Sequence, residues 1–334
     1  MGELRARAVN TVHFVLPADV DDPAVPSGGN VYDRRLAQGL WSAGWTVREH
    51  TEVNRIAALP VDSVVLLDGL LACPAPEIVV PQAGRLRQVV LVHLPLAEET
   101  GLSPAVAAEL DAKERAVLHA ADAVVATSPS AAGRLAAHHG LELVHVVPPG
   151  IDPKPRALGT DGKSQLLCVA SVTPRKGQDI LVEALARVAD LPWRCRLAGP
   201  VTRDPLYTGQ IRDLIARHGL GERIELLGPR TGADLDTLYA EADLVVLPSR
   251  AETYGMVVTE ALARGIPVLA TDAVAETLGP HGILVPADDP AALAEALRRW
   301  FDDPALRARL REYRPRLPGW ERTARDMAEV LAAL

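Results

Sequence analysis

Residues Asp243 to Asp272 read DLVVLPSRAETYGMVVTEALARGIPVLATD, and this stretch leaves the chain few choices of fold. Leu244 to Leu247 is a short apolar run, as expected of a parallel strand covered on both faces. Pro248 to Thr253 follows as a loop carrying Ser249 and Glu252. From about Tyr254 to Arg264 the pattern turns helical, with Met256, Val257, Leu262 and Ala263 spaced to make one apolar face. Gly265 stops that helix, Pro267 prevents its return, and Val268 to Ala270 begin another strand. Strand, loop, helix and strand within thirty residues predict an α/β fold with its chemistry at the carboxyl ends of the strands.

The two glutamates of this unit are its candidate functional groups. Glu252 lies in the loop and Glu260 about two turns down the helix, so both are expected to face the crevice above the strand ends. Gly255 allows a ligand to approach the backbone, and the free N–H groups of a first helical turn attract an anion. Phosphate at a helix N-terminus and carboxylates for sugar hydroxyls describe a nucleotide-sugar site. An ordinary strand–helix unit, with one glutamate as a cap and the other on the surface, accounts for the spacing equally well.

A chain of 334 residues, 48% hydrophobic and 23% charged, can bury cores for two domains. Its net charge of −8 argues against a nucleic-acid binder. Cys73, Cys168 and Cys195 have no metal-ligand spacing and read as reduced core thiols of a cytoplasmic protein. The first seventeen residues contain one strand-like run rather than a signal peptide, and no apolar stretch approaches the ~20 residues of a membrane span. The Arg-rich stretch Arg298 to Arg316 is interleaved with acids and reads as a solvated helical face, so peripheral membrane contact is possible without being indicated.

In chain order, strands are expected at Thr11–Leu16, Trp45–Glu49, Val64–Leu67, Val89–Val92, Ala123–Ala126 and Leu143–Val147. Gly28 and Gly29 fall in the loop before a helix from Val31 to Ala43, where a phosphate or sugar could touch backbone. They lack the G-x-G-x-x-G spacing of a dinucleotide fold, which argues against a dehydrogenase. His93 follows the fourth strand and borders a ligand crevice in such a sheet, although a structural loop histidine fits as well. Ser128 or Ser130 caps the next helix. Pro148 to Asp152 then breaks the pattern and leads to the interdomain connection.

A second set of strands is expected at Leu166–Ala170, Cys195–Ala198, Ile224–Leu226 and Gly282–Val285. Between the first of these and its helix stand Arg175 and Lys176, two adjacent cations able to neutralise a diphosphate in a chain with only four lysines. A surface basic pair is the alternative. Gly162-Lys163-Ser164 is not a phosphate-binding P-loop, because Ala157 stands where the first glycine is required and the motif precedes a strand.

The segment ETYGMVVTEALARGIPVLATD resembles the E-x7-E signature of retaining glycosyltransferases of the GT-B fold, family 4 (glycosyl transferases group 1). Tyr254, Gly255, the Glu-Ala-Leu-Ala run and Gly-x-Pro-Val each match it, and Pro148-Pro149-Gly150-Ile151-Asp152 resembles that family's passage into its second domain. The resemblance implies two Rossmann-like domains facing a central cleft: an acceptor-side domain over 1–148, a nucleotide-sugar donor domain over 149–315, and a C-terminal helix over 316–334 that crosses back. It implies His93, Arg175, Lys176 and Glu252 as catalytic residues. Gly28, Gly29, Gly199, Arg230, Thr253, Tyr254, Gly255, Met256 and Glu260 are implied donor contacts, with Glu260 on the ribose. The family's Arg-x4-Lys-Gly pattern is matched imperfectly, since Arg175 adjoins Lys176.

The expected activity is transfer of a sugar from a nucleoside-diphosphate sugar to an acceptor hydroxyl with retention, without metal or other cofactor. A nucleotide-sugar epimerase of the same fold and a non-catalytic nucleotide-sugar binder remain alternatives. Nucleotide, sugar, acceptor and oligomeric state are not legible.

Overall fold

The computed structural model describes residues 10–334, so the reading of the first nine residues as lacking a leader lies outside the described part. The chain forms two compact units. The first takes in the chain up to Asp21, Gly29–Gly150 and Pro318–Leu334; the second comprises Asp22–Gly28 and Ile151–Leu317.

The first unit's strands are β1 (Thr11–Val15), β2 (Thr46–His50), β3 (Val64–Asp68), β4 (Arg87–Val92), β5 (Ala123–Ala126) and β6 (His145–Val146). Its helices begin with α1 (Gly28–Ser42), α2 (Gly69–Ala72), α3 (Pro76–Val79), α4 (Pro104–Ala120) and α5 (Pro129–His139). All pairings are parallel, in the order β2-β1-β3-β4-β5-β6. Side chains alternate across the sheet, as its two-residue period requires. Phe14, Leu66 and Leu91 face Leu36 and Leu40 of α1. Val15, Val65, Leu67 and Val90 face Val117 of α4 and Leu135 of α5.

The second unit holds β7 (Gln165–Val169), α6 (Gln178–Arg187), β8 (Arg194–Ala198), α7 (Pro205–Arg217), β9 (Ile224–Gly228), α8 (Gly232–Glu241) and β10 (Leu244–Leu247). It continues with α9 (Met256–Ala263), β11 (Val268–Thr271), α10 (Ala275–Leu278), β12 (Ile283–Val285), α11 (Pro290–Asp302) and α12 (Pro304–Glu312). Its order, β12-β11-β10-β7-β8-β9, is again parallel. One face packs Leu166, Cys168, Leu197 and Val246 against α6, α7 and α11; the other packs Leu167, Val245 and Ala270 against Val258, Ala261 and Leu262 of α9. Two buried tryptophans anchor this unit, with indole N–H groups donating to backbone: Trp193 to Val188 at 2.8 Å and Trp300 to Lys163 at 3.0 Å.

The last helix, α13 (Trp320–Ala332), belongs to the first unit. Met327 and Leu331 are buried beside Leu36 and Leu40, and Thr323 Oγ1 donates to the Pro148 carbonyl at 2.9 Å.

Most strand expectations agree with these elements to within a residue or two. Four readings need correction. α1 begins at Gly28, so the two glycines form the first turn of a helix and not a loop before it. β6 keeps only His145 and Val146 of the five residues expected. α9 begins at Met256, and its buried side is Val258, Thr259, Ala261 and Leu262, with Met256, Val257 and Ala263 only partly covered. The Arg-rich stretch is α12 and its flanks rather than one solvated face: Leu306 and Leu310 are buried, and Arg311 ion-pairs with buried Asp243 at 2.9 Å. All three cysteines are free and buried.

Candidate functional site

In the second unit the strand order reverses direction between β7 and β10. Taken first to last, its six strands lie third, second, first, fourth, fifth, sixth. Open α/β sheets bind ligands at the carboxyl ends of the strands flanking such a reversal. The loops leaving β7 and β10 carry Arg175, Lys176 and Glu252.

Lys176 Nζ donates to Glu252 Oε1 at 2.5 Å, Ser249 Oγ donates to the same oxygen at 2.8 Å, and Arg175 Nη1 lies 3.7 Å from Glu252 Oε2. Glu252's side chain is 8% exposed, and Lys176's 17%. Burial pushes the carboxyl up, but Lys176 and Arg175 outweigh it and hold Glu252 below its usual value. Burial holds Lys176 below its usual value, with Glu252 opposing. Two cations face one carboxylate, leaving a formal excess of one positive charge. The buried Arg175 Nε has no partner among the described residues, an N–H that would gain from an incoming anion.

Backbone and ion pairs fix the two loops to each other. Arg250 N donates to the Arg175 carbonyl at 2.8 Å, and Arg175 Nη1 donates to the Ala251 carbonyl at 3.2 Å. Arg250 also grips Asp179 of α6 through two N–H groups at 2.7 and 3.0 Å. Between Lys176 and α6, Gly177 has φ +67°, and a Cβ there would come 2.1 Å from the Pro248 carbonyl oxygen. Only glycine lets these backbones approach so closely.

Beyond Glu252 the chain passes Thr253 and Tyr254 to Gly255, whose left-handed φ of +82° starts α9 without a side-chain cap. The first-turn N–H groups of a helix end without a side-chain cap suit an anion. Tyr254 is held by Thr277 Oγ1 donating to its carbonyl at 2.5 Å, and burial raises its hydroxyl to about 12. Glu260 sits on the second turn and accepts from Tyr239 Oη of α8 at 2.6 Å. Burial raises its pKa, while Tyr239 and Arg264 oppose. Glu252 and Glu260 are thus held by different side chains, Lys176, Ser249 and Arg175 for the one and Tyr239 for the other. Gly199 follows β8, and its N–H donates to the Gly228 carbonyl at 2.9 Å. Arg230 follows β9 and borders an open depression with Arg196, Glu225, Asp234 and Glu241.

The first unit has a second cluster. Its sheet reverses direction between β1 and β3. His93, directly after β4, places Nε2 2.8 Å from Asp33 Oδ1 on α1, and Asp68 closes β3 beside them. One nitrogen of His93 and one oxygen of each carboxyl all lie within 4.8 Å of one another. A Cβ on Gly29 would come 3.2 Å from His93 Cδ2, so the glycine gives the ring its room. Tyr32 packs edge-on to the imidazole, with centroids 5.0 Å apart. Sequence reasoning found His93 but missed Asp33 and Asp68, sixty and twenty-five positions away, and in the second unit it missed Tyr239, Arg250 and Asp179. A buried carboxylate on an apolar helix face, as Asp33 is, was the available signal.

Residues 12–154 match the model described as Glycosyltransferase Family 4, and residues 163–303 the model described as Glycosyl transferases group 1. D-inositol 3-phosphate glycosyltransferase 1 of Catenulispora acidiphila is 38% identical over 227 residues, 60% of this chain and 54% of that protein. D-inositol 3-phosphate glycosyltransferase of Streptomyces bingchenggensis is 33% identical over 70% of this chain and 57% of its own. The chain thus aligns with little more than half the length of these curated relatives. Sucrose-phosphate synthase from Thermosynechococcus elongatus has the same fold, with a TM-score of 0.78 at 21% identity over 97% of this chain and 98% of that one. Anabaena Alr3699/HepE, solved with UDP and glucose, superposes with a TM-score of 0.73 at 19% identity over 97% of this chain and all of its own. Two matched family models, one for each unit's sheet, and a shared two-sheet architecture lead to one conclusion: the chain belongs to the group 1 glycosyltransferases of the GT-B fold.

Proposed function

We propose that the protein transfers a sugar from a nucleoside-diphosphate sugar to an acceptor hydroxyl with retention of configuration. The observation that carries this reading is the excess positive charge where Lys176 and Arg175 meet Glu252, beside the uncapped start of α9. A departing diphosphate gains negative charge as the glycosidic bond breaks. Preorganised cations and N–H donors aimed at that charge stabilise the transition state more than the ground state.

In this reading Lys176 and Arg175 hold the diphosphate, with the backbone around Thr253, Gly255 and Met256 completing its shell. Glu252, already held by Ser249 and Lys176, receives donor-sugar hydroxyls, and the free oxygen of Glu260 receives the ribose. Gly199, Arg230 and Tyr254 bound the nucleoside. Gly28, Gly29 and His93 are assigned to the sugar and acceptor by the family resemblance. A front-side displacement needs no protein nucleophile, and no metal is assigned a role.

HepE was solved with UDP and with UDP-glucose, so UDP-sugars are the first donors to test. The curated relatives are named for D-inositol 3-phosphate, which is the first acceptor. The assay follows UDP release and product anomeric configuration by NMR, with and without EDTA. Acceptor-dependent release of UDP with an α-linked product from an α-linked donor, unaffected by EDTA, is expected. Release independent of acceptor, an inverted product or loss of activity in EDTA would contradict the corresponding part of the reading.

A further inference from the structure

The buried cluster of Asp33, Asp68 and His93 poses a protonation problem. Asp33 is fully buried and Asp68 is 2% exposed. Asp33 Oδ1 is taken by His93, yet the buried Asp33 Oδ2 has no hydrogen-bond partner among the described residues while both carboxyls are ionised. Asp68 Oδ1 accepts from Leu70 N at 2.6 Å, and one oxygen of the Asp68 carboxyl lies within 4.8 Å of one of Asp33. Two buried carboxylates side by side repel, and an orphaned buried oxygen is costly. A single proton on Asp68, donated to Asp33 Oδ2, removes both difficulties.

We propose that Asp68 carries this proton and that Asp33 and Asp68 act as positioning residues that keep His93 a fixed imidazolium, with Nδ1–H as the donor it presents. Nε2 is committed to Asp33, and no described residue accepts from Nδ1, on a side chain 17% exposed. A neutral ring donating through Nε2 would present a bare nitrogen at Nδ1 and could act as a base. The imidazolium instead presents an N–H, suited to a sugar or phosphate oxygen.

The electrostatics agree. Burial alone would lower His93, but the charge and hydrogen bond of Asp33, helped by Asp68, raise it to about 9. Burial and then the Asp33 charge raise Asp68 to about 8, against His93 and the Leu70 N–H. The other titratable groups nearby do not supply a competing proton. Tyr32 on α1 is held far above its ordinary value by burial and by Asp33 and Asp326, and burial and Glu114 keep the Cys73 thiol neutral. Glu114 itself is engaged by His139 at 3.1 Å and by Leu96 N at 3.2 Å.

The test is a pH titration of the full chain labelled with ¹⁵N-histidine, reading the ring nitrogens by two-bond ¹H–¹⁵N correlation and assigning His93 among the nine histidines with His93→Gln. His93 is expected to stay protonated at pH 7 and lose its proton only above about pH 8. Asp33→Asn is expected to render it neutral at pH 7. Asp68→Asn preserves the shape and can donate to Asp33 Oδ2, so it should fold and leave His93 protonated at pH 7 even if Asp33→Asn does not fold. A neutral His93 at pH 7 in the wild type, or in Asp68→Asn, overturns the proposal. The significance for turnover rests on the glycosyl-transfer reading, whereas the titration does not. An inactive protein with a protonated His93 would refute only that reading.

Discussion

Lys176 Nζ sits 2.5 Å from Glu252 Oε1, joining the loops that follow β7 and β10 across the reversal of the second sheet. The bond spans seventy-six positions in sequence, and each partner depends on the other to be tolerated in partly buried surroundings. Breaking such a pair from one side leaves a nearly buried, uncompensated charge.

Lys176→Ala is therefore expected to act twice. Turnover should fall ~10²–10³-fold through lost stabilisation of the leaving diphosphate. Thermal stability should fall as Glu252 loses its partner, by an amount up to about 3 kcal/mol. Steady-state kinetics and calorimetry separate the two. Unchanged kcat would rule out the diphosphate role.

Gly177→Ala tests the loop geometry without touching a charge. The new Cβ would meet the Pro248 carbonyl oxygen and occupy a left-handed backbone, which alone costs about 1–2 kcal/mol. The expected result is a lower Tm and weaker diphosphate binding together, seen by differential scanning fluorimetry and isothermal titration. A protein indistinguishable from wild type in both would show that the loops do not need this close approach.

Gly150→Ala tests how the last helix is held in the first unit. A Cβ at this position would lie 2.4 Å from Trp320 N, and backbone cannot swing aside as a side chain can. Overpacking of this kind costs about 1–3 kcal/mol. Hydrogen exchange should rise in Trp320–Ala332 more than in the second unit's helices, and equal protection in variant and wild type would contradict the prediction.

The stability of the first unit should decline as pH rises through neutrality. Asp68 has a folded pKa of about 8, above its unfolded value of 3.8, so the folded state binds the extra proton and its advantage fades between those limits. His93 moves from 6.5 to about 9, so its stabilising contribution is complete below 6.5 and lost by about 9. Both act in the same direction between pH 6.5 and 8. The first unit's Tm is expected to fall from pH 6 to 9, with a shallower fall in Asp68→Asn. A Tm that rises over that range would contradict the assignment.

Much of the fold was legible because parallel strands buried on both faces must be short apolar runs, and Leu244–Leu247 and Ala123–Ala126 were read to the residue. Strand order is not written in such runs. That is why the sequence could place Lys176 and Glu252 each at a strand end yet not show that β7 and β10 are neighbours. α9 was misjudged at its start because Tyr254 is compatible with a helix, whereas the left-handed Gly255 sets the boundary. A lone acid on a helix ordinarily faces water; the spacing of Asp33 from Leu36, Ala37 and Leu40 marks the buried face, but its partner His93, sixty positions on, is not written in local periodicity.

The central claim is that Lys176, Arg175, Glu252 and Glu260 form a nucleoside-diphosphate site. The most direct test is a thermal-shift and calorimetric titration of the wild type, Lys176→Ala and Glu260→Ala with UDP, GDP, ADP and dTDP. Selective ligands raise stability by mass action. One diphosphate is expected to stabilise the wild type, with affinity weakened at least about tenfold in each variant, a loss of ~1.4 kcal/mol or more. No binding of any diphosphate to the wild type, or equal binding by all three proteins, would contradict the claim.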